Sequence, residues 1–290
     1  MNLVILSRSA KLYSTNSLVQ AAIKRKHNVR VIDPMHCDIV LEKGQAHVYY
    51  QARKIEHVDA VIPRIGTSIT YNGKIIIRQF EMKGVFTTLG SEALSVSRDK
   101  LQSLQLLSSV NLDVPKTIFT NNHYSDKISA SHLGKPPFII KLNEGTQGLG
   151  VVLADTQNAA ESMLDAFRGL QTPAMIQEYI KESGGSDIRV FVVDKKVIGA
   201  IRRQGKKGEF RSNLHRGGSA QIAILSEEEK EVAIKATVAL GLNIAGVDML
   251  RSDRGPLILE VNSSPGLEGI ELVTKKDIAK EIIRFIEKSI

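Results

Sequence analysis

The sequence predicts an α/β domain at the N-terminus followed by an α+β region, and two observations support this prediction. First, the short apolar runs Leu3–Leu6 and Asn28–Ile32 flank the amphipathic segment Ser17–Lys26, which is the spacing of a strand–helix–strand unit. Second, after about residue 113 the apolar runs come in pairs separated by glycine-rich turns, as in 138–142 and 151–154. Such pairs are typical of antiparallel strands.

The other elements follow from the same two patterns. In the first part of the chain we expect a hairpin over 39–55, a strand over 60–65, and helices over 71–83 and 98–110. In the second part we expect paired strands at 188–193 and 196–201 and helices over 158–167, 227–240 and 276–288. Ser226 and Glu229 form a capping-box signature at the start of the 227–240 helix. We therefore expect an N-terminal domain over 1–97 and a second domain over 98–290, divided into subdomains at about 98–186 and 187–290.

Composition excludes several classes of protein. The chain has 290 residues, 42% apolar and 24% charged, which is enough to bury a core without disulfides or a structural metal. The single cysteine, Cys37, rules out a disulfide framework, and the scattered histidines give little support to a zinc site or a serine triad. We find no signal peptide and no apolar run of about 18 residues, so we expect a cytoplasmic protein without a membrane partner. The net charge of +8 favours an anionic partner.

A glycine-rich loop lies between two apolar runs at residues 142–151. Gly145, Gly148 and Gly150 could let backbone N–H groups approach phosphates, and Lys141 at the entry of the loop could reach them as well. The loop is neither a Walker A motif, since no Gly-Lys-Ser/Thr follows, nor a dinucleotide fingerprint, since a strand follows it. An ordinary hairpin turn is the alternative.

A second motif is a predicted hairpin that carries two carboxylates. A turn centred on Arg254 puts Asp248 opposite Glu260, and strand alternation puts Asn262 on the same face. The same register pairs the apolar residues of the other face, Val247 with Val261 and Met249 with Leu259. Facing carboxylates repel unless a cation lies between them, and an all-oxygen set favours Mg²⁺ or Mn²⁺. The alternative is a solvated acidic face.

The stretch 202–218 contains six Lys/Arg residues and one acid. We interpret it as a lid over a triphosphate and an acidic substrate. A solvated loop or a patch that contacts a nucleic-acid backbone remains open, although Phe210 alone could stack on a base.

Several segments together resemble a known family. Those shared with ATP-grasp ligases, in the order of that family, are Lys141, Gly145–Gly150, Gln177–Ile180, Asp187, and the set Asp248, Glu260 and Asn262. Those that resemble the RimK-type branch of these ligases are Ile62–Thr67, Arg78–Glu81, Phe210–Gly218 and Glu260–Glu271. The resemblance covers nearly the whole chain and implies an α/β N-terminal domain followed by an α+β ATP-grasp fold.

The resemblance also implies a role for each matching residue. The implied ATP-binding residues are Lys100, Lys141, Gly145, Thr146, Gln147, Gly148, Glu178, Tyr179, Ile180, Asp187, Arg211, Ser212 and Asn213. Among them, the backbone of 178–180 would hold adenine, Asp187 a ribose hydroxyl, and the lysines and the glycine loop the phosphates. Asp248, Glu260 and Asn262 would bind two ions of Mg²⁺ or Mn²⁺. The catalytic cations would be Arg203 and Arg211. The carboxylates of the substrates would meet Arg64, Arg203 and the turn that contains Ser264 and Gly266.

The implied reaction transfers the γ-phosphoryl group of ATP to a carboxylate, and an amine then attacks the acylphosphate. RimK-type ligases add L-glutamate to the acidic C-terminus of a small-subunit ribosomal protein, and the resemblance suggests a homo-oligomer, a tetramer. No general base is assigned; Glu271 and His215 are the candidates. Two alternatives remain: the same chemistry on free glutamate chains, a cofactor tail or a carrier protein, or a nucleotide- or RNA-binding module without turnover.

Overall fold

The computed structural model describes residues 1–119, 132–143, 150–206, 208–212 and 217–290. In the first 110 residues the elements are β1 (Asn2–Leu6), α1 (Tyr13–Lys24), β2 (Asn28–Ile32), β3 (Cys37–Glu42), β4 (Gln45–Tyr50), β5 (Arg53–Lys54), β6 (Ala60–Pro63), α2 (Thr70–Met82), β7 (Phe86–Thr87), α3 (Ser91–Arg98) and α4 (Lys100–Ser109). The next elements are β8 (Thr117–Phe119), β9 (Phe138–Leu142), β10 (Val151–Ala154), α5 (Gln157–Gly169) and β11 (Ala174–Glu178). The last are β12 (Ser186–Val193), β13 (Lys196–Gln204), β14 (Ser219–Ile222), α6 (Glu227–Ala239), β15 (Ile244–Ser252), β16 (Gly255–Asn262), α7 (Glu268–Thr274) and α8 (Ile278–Ser289).

A parallel sheet of order β2-β1-β6-β7 forms the N-terminal part, with the helical crossovers that parallel strands require. The predicted strand–helix–strand unit is therefore confirmed. The predicted hairpin over 39–55 is instead a small antiparallel sheet of three strands, β3-β4-β5.

The predicted single helix over 98–110 is wrong at its start. Asp99 has an extended backbone, with φ −89° and ψ 108°, so α3 ends at Arg98 and α4 begins at Lys100. The Asp99 side chain accepts a hydrogen bond from the Gln102 backbone N–H at 2.9 Å, which caps α4. Arg98 is therefore the last residue of α3 and does not belong to α4.

The second part of the chain contains two antiparallel sheets, of orders β10-β9-β11-β8 and β14-β13-β12-β15-β16. The predicted pairs β9–β10 and β12–β13 are both present. The capping box of α6 is also present, with Ser226 Oγ accepting from the Glu229 N–H at 3.1 Å. No helix in the described part of the chain is long and apolar enough to cross a membrane.

The hairpin β15–β16 has the predicted pairing of Asp248 with Glu260 and of Val247 with Val261, but Met249 lies opposite Ile258. The prediction that Met249 faces Leu259 is wrong because the turn contains two residues, Asp253 and Arg254. A β-bulge at Leu259 then shifts the register by one residue. The bulge restores the predicted pairing only from Asp248 onward.

Among the described residues, two of the three apolar clusters are shared between sheets, and the third belongs to one sheet alone. Leu3 and Ile5 of β1 pack in one cluster with Phe191 of β12 and Ile283 of α8, so the N-terminal sheet and the five-stranded sheet share a core. A second shared cluster lies on the other side of β1 and contains Val4 together with Val190 and Val247. The antiparallel β10-β9-β11-β8 sheet, called the four-stranded sheet below, has a cluster of its own. The described members of this cluster all come from residues 118–176.

Candidate active site

Six charged or polar side chains lie on one face of the five-stranded sheet. The face is defined by two register pairs, Asp187 with Arg203 and Arg189 with Asp248, and by the pair Asp248 with Glu260. Asn262 lies two residues beyond Glu260 and therefore shares its face. The structure thus brings together five predicted site residues from four strands, and it adds Arg189.

Arg203 lies at the centre of this row and is 5% exposed. Its Nε donates to Asp187 Oδ1 at 2.7 Å and its Nη2 donates to both Asp187 Oδ2 and Asp248 Oδ2, the latter at 2.8 Å. Burial lowers the pKa of Arg203, but the two carboxylates outweigh this and raise it. Both Asp187 oxygens accept from Arg203, so in this structure Asp187 holds the guanidinium in place.

Asp248 is equally buried and accepts from a second arginine. Arg189 Nε and Nη2 donate to its two oxygens at 2.7 and 2.6 Å. Burial raises the pKa of the Asp248 carboxyl, yet Arg189 and Arg203 together hold it below its usual value. The repulsion predicted between Asp248 and Glu260 is therefore relieved by guanidinium groups.

Glu260 and Asn262 complete an oxygen-rich edge beside Asp248. Oriented so that both ends of its amide are satisfied, Asn262 donates to Glu260 Oε1 at 2.9 Å and accepts from Arg189 Nη2 at 3.2 Å. Among the described residues no three His, Cys, Asp or Glu side chains gather as a metal site. The predicted set has two carboxylates and one amide oxygen, which are donors that suit a hard divalent cation.

Lys141 of β9 is 8% exposed and donates from Nζ to Gln177 Oε1 at 2.6 Å. Gln177 Nε2 in turn donates to Thr117 Oγ1 at 2.7 Å, so one chain of hydrogen bonds crosses β9, β11 and β8. Burial, opposed by the charge of Glu260 and assisted by that of Lys100, lowers the pKa of Lys141 to about 8. The charge of Glu260, in the charged row, therefore acts on Lys141 in the β10-β9-β11-β8 sheet.

Lys100 lies at the first position of α4 and its Nζ donates to the Asn143 carbonyl at 3.2 Å. Asn143 Oδ1 accepts from the Leu101 N–H, so the end of β9 is joined to the start of α4. Gly145, Thr146, Gln147 and Gly148 lie outside the described residues. Gly150 is described and has a φ of +71°, which a glycine adopts without strain.

The predicted adenine segment, 178–180, lies at the end of β11. This strand is interior to its sheet, and the Glu178 N–H donates to the Lys116 carbonyl at 3.0 Å. Burial raises the pKa of Glu178, but bonds from Arg254 and the Lys116 N–H lower it overall. Tyr179 is half-buried and Ile180 is buried. The pair Glu178–Arg254 ties this segment to the turn of the β15–β16 hairpin.

Arg211 reaches from the basic stretch toward the four-stranded sheet. Its Nε and Nη2 donate to Glu209 at 2.8 and 2.9 Å, and its Nη1 donates to the Val151 carbonyl at 3.4 Å. The bond to Glu209 raises the pKa of Arg211. Ser212 is buried, whereas Asn213 and His215 lie outside the described residues.

The predicted substrate residues Arg64 and Ser264 do meet. Arg64 Nη2 donates to the carbonyls of Ser264 and Pro265, at 3.4 and 2.7 Å. Gly266 is exposed, and space remains around its Cα for a side chain. The hydrogen bonds of Arg64 therefore hold the turn after β16 in place.

Sequence reasoning missed Arg189 and gave Glu271 a role that its contacts do not favour. Alternation along β12 puts Arg189 beside Asp187, which could have revealed it, and the capping signature of Asp99 and Gln102 could have separated Arg98 from α4. Glu271 accepts from Ser17 Oγ at 3.2 Å and from the Ala279 N–H at 3.1 Å. It joins α1 to the start of α8.

The chain matches two family models and several curated relatives over nearly its whole length. The family model for the RimK pre-ATP-grasp domain matches residues 1–94, and that for the RimK-like ATP-grasp domain matches residues 97–286. Curated relatives from Syntrophotalea carbinolica and Pseudoalteromonas translucida are 51% and 53% identical to the chain. The matches cover 99% and 100% of this chain and 96% of each relative. Both relatives are named "Probable alpha-L-glutamate ligase".

Solved structures show the same fold at lower identity. The ATP-grasp ligase PsnB, complexed with its minimal precursor, matches with a TM-score of 0.79 and 21% identity over 100% of this chain and 99% of its own. A D-alanine–D-alanine ligase from Bacillus anthracis matches with a TM-score of 0.68 and 18% identity, over 99% and 96% of the two chains. The predicted fold class and family resemblance are confirmed. The chain belongs to the family of RimK-like ATP-grasp ligases.

Proposed function

We propose that the chain is an ATP-dependent enzyme that joins the amine of L-glutamate to a carboxylate of an acceptor. The proposal is carried by the charged row of the five-stranded sheet, in which Asp248, Glu260 and Asn262 lie beside Arg203 while Glu260 acts electrostatically on Lys141. Such a row offers ligands for a hard cation next to fixed cations for phosphate oxygens. The names of relatives at 51% and 53% identity support glutamate as the amino acid.

In the proposed reaction a carboxylate oxygen of the acceptor attacks the γ-phosphorus of ATP, and ADP leaves. The glutamate amine then attacks the acylphosphate carbon, the C–O bond to phosphate breaks, and the nitrogen loses a proton to solvent. Lys141, Lys100 and Arg211 would stabilise the charge on the phosphates, and Arg203, held by Asp187, would stabilise the tetrahedral oxyanion. The bonds that Arg203 already makes keep it in place through the reaction.

The donor set fits Mg²⁺, because Asp248, Glu260 and Asn262 present oxygen atoms, which are the ligands that hard divalent cations prefer. When bound, Mg²⁺ would supply Lewis-acid stabilisation of the phosphate oxygens. Two ions, and Mn²⁺ in place of Mg²⁺, belong to the same proposal. So does the location of ATP on the segment 178–180 and the glycine loop.

For the acceptor we propose the acidic C-terminus of a small-subunit ribosomal protein, in the cytoplasm. The net charge of +8 suits an acidic peptide. Intact-mass measurement of the candidate acceptor is decisive, because each addition increases its mass by one glutamyl residue. If ADP is released with glutamate but that acceptor is unmodified, the ligase chemistry stands and the acceptor is another carboxylate.

The first experiment measures ADP release with Mg²⁺ and ATP, with and without L-glutamate and the acceptor. We expect glutamate-dependent release by the natural chain and at least a hundredfold less by Glu260→Gln. Glu260 is exposed, so this variant should keep its fold, and Glu268→Gln on α7 is a matched exposed control that should retain full activity. Full activity of Glu260→Gln would overturn the cation site.

A nucleotide- or RNA-binding module without turnover is the competing function. It would give no ADP release under any condition, together with RNA binding that weakens steeply as salt increases. Light scattering on the same preparation tests the proposed tetramer.

A further inference from the structure

Two arginines meet at the junction between the N-terminal sheet and the turn that follows β16. Arg98 at the end of α3 donates from Nη2 to the Ile65 carbonyl and from Nη1 to Thr67 Oγ1, the latter at 3.3 Å. Arg64, one residue before Ile65, donates from Nη2 to the Ser264 and Pro265 carbonyls. Arg98 therefore holds the segment 65–67 and Arg64 holds the turn, and the two guanidiniums are close enough for the charge of Arg98 to act on Arg64.

Neither guanidinium has an ion-pair partner among the described residues, and in this sense neither is compensated. Their described acceptors are backbone carbonyls and one hydroxyl, and none of the described carboxylates lies within 4.0 Å of either group, whereas Arg189 and Arg203 in the nearby row are paired with aspartates. Desolvation, together with the charge of Arg98, lowers the pKa of Arg64 to about 10. Two adjacent cations removed from water in this way are costly unless an anion joins them.

Polar atoms at the same junction also lack partners. Arg98 Nε and Ser264 Oγ are both buried without a hydrogen-bond partner. Around Gly66 and Gly266, in the two loops that meet here, there is open space where a Cβ would stand. An N–H donor and a hydroxyl without partners, beside two uncompensated guanidiniums, match the needs of a carboxylate.

The junction lies beside the reacting centre. Ser97, the neighbour of Arg98, donates to Ser263 Oγ at 2.8 Å, and Ser263 directly follows the proposed metal ligand Asn262. Arg98 is within electrostatic range of Glu260 but outside ion-pair distance of it. A carboxylate bound here would therefore lie beside the reacting centre and not in it. In glutamate, the side-chain carboxylate is likewise separated from the amine that reacts.

We propose that Arg98, together with Arg64 and Ser264, binds the side-chain carboxylate of the incoming L-glutamate and selects it over uncharged amino acids. This inference rests on the proposed ligase function and assigns Arg98 as a specificity-determining residue. Glutamine, which is isosteric but uncharged, leaves both guanidiniums uncompensated and binds less well.

The test is calorimetric titration of L-glutamate and of L-glutamine into the full chain saturated with a non-hydrolysable ATP analogue and Mg²⁺. We expect the natural chain to prefer glutamate by about tenfold or more, which corresponds to about 1.4 kcal/mol. Arg98→Gln should lose about tenfold in glutamate affinity and leave glutamine affinity within about twofold, whereas Arg98→Lys should keep part of the preference. Arg30→Gln is the matched control, since Arg30 Nη2 also donates to a carbonyl, that of Glu56, far from the site.

Each outcome separates the inference from the function on which it rests. If the natural chain turns over glutamate and Arg98→Gln keeps the full preference, or loses both ligands equally, the side-chain assignment is overturned while the ligase function stands. If the natural chain neither binds glutamate nor releases ADP with it, both are overturned. Unchanged binding of the ATP analogue by Arg98→Gln and Arg98→Lys shows that these variants are folded.

Discussion

At Asp248 the carboxylate oxygens accept hydrogen bonds from Arg189, and Oδ2 accepts another from Arg203, in a site where the Asp248 side chain is 6% exposed. The residue proposed to bind a cation is thus also the anion that neutralises two partly or fully buried cations. Its neighbour Glu260 is exposed and makes no such pair among the described residues.

We therefore expect Asp248→Ala to lower the free energy of unfolding by about 3–5 kcal/mol, because it leaves two guanidiniums without their partner. Glu260→Ala should lower it by less than about 0.5 kcal/mol. Urea denaturation of both variants measures the difference. Equal stabilities would show that the buried pairs contribute nothing, and loss of activity by Asp248→Ala alone is no evidence for the metal site.

The low pKa of Lys141 predicts that ATP binding depends on pH. Below about pH 8 the ammonium is charged, whereas above it the lysine of the free protein is neutral. The phosphates of ATP favour the charged form, so binding raises this pKa, and affinity should fall by up to about tenfold per pH unit above 8. Lys100, Glu260 and the bound phosphates are the charges that act on it.

Titration calorimetry in buffers of different ionisation enthalpy checks this expectation. Because binding raises the pKa of Lys141, proton uptake should accompany ATP binding at about pH 8.5–9. Lys141→Arg is the control, since its guanidinium stays charged over the whole range. A pH profile that is the same in both proteins would contradict the assignment.

At the scale of elements, β15 carries a glycine where the turn after β16 crosses the sheet. A Cβ built on Gly246 would lie 2.8 Å from Pro265 Cβ, whereas one on Gly199 of β13 would lie 3.4 Å from Ile270 Cδ1, an ordinary contact. Glycine in a strand often marks such a close approach of another backbone. The turn at 263–266 can lie over the charged row only because position 246 has no side chain.

Gly246→Ala should therefore displace this turn and raise KM for glutamate by about tenfold, with a smaller effect on KM for ATP. Gly199→Ala, in the same sheet, should leave both constants within about twofold. Steady-state ADP release measures both. An equal rise in the two KM values would indicate general disruption of the sheet.

The element scale also shows what the sequence could predict. The facing of Asp248 and Glu260 was predictable because strand alternation and hairpin symmetry are local rules. The bulge at Leu259 was not, because a two-residue turn and a bulge together imitate a three-residue turn. The break that separates Arg98 from α4 was missed for a related reason: a 3.6-residue period continues across Asp99, and the extended backbone there is set by a side-chain cap that periodicity does not detect.

At the scale of the whole molecule, the N-terminal sheet and the five-stranded sheet share two apolar clusters, and the four-stranded sheet has its own. Phe86 and Phe285 join β7 to α8 with rings 5.9 Å apart, and Arg25 and His27 bind Glu287 of α8. Ion pairs and apolar packing therefore hold the first and last parts of the chain together.

We expect Leu164→Ala, in the separate cluster, to cost about 2–5 kcal/mol locally and to speed hydrogen exchange only between residues 117 and 178. Phe285→Ala, in the shared cluster, should speed exchange in β1, β6 and β12 together. Hydrogen exchange followed by mass spectrometry on both variants separates the cases. Acceleration of exchange throughout the chain by Leu164→Ala would show that the molecule opens as one unit.

The separate cluster of the four-stranded sheet has an evolutionary consequence. Its apolar residues all fall between 118 and 176, and the chain enters and leaves this unit once. Recombination between relatives can therefore exchange the unit as a cassette without repacking the rest. The lysine and the strand end proposed to grip the nucleotide travel with it, while the arginines proposed to recognise the amino acid stay behind. Such an exchange would replace these nucleotide contacts and keep the proposed contacts to the amino acid.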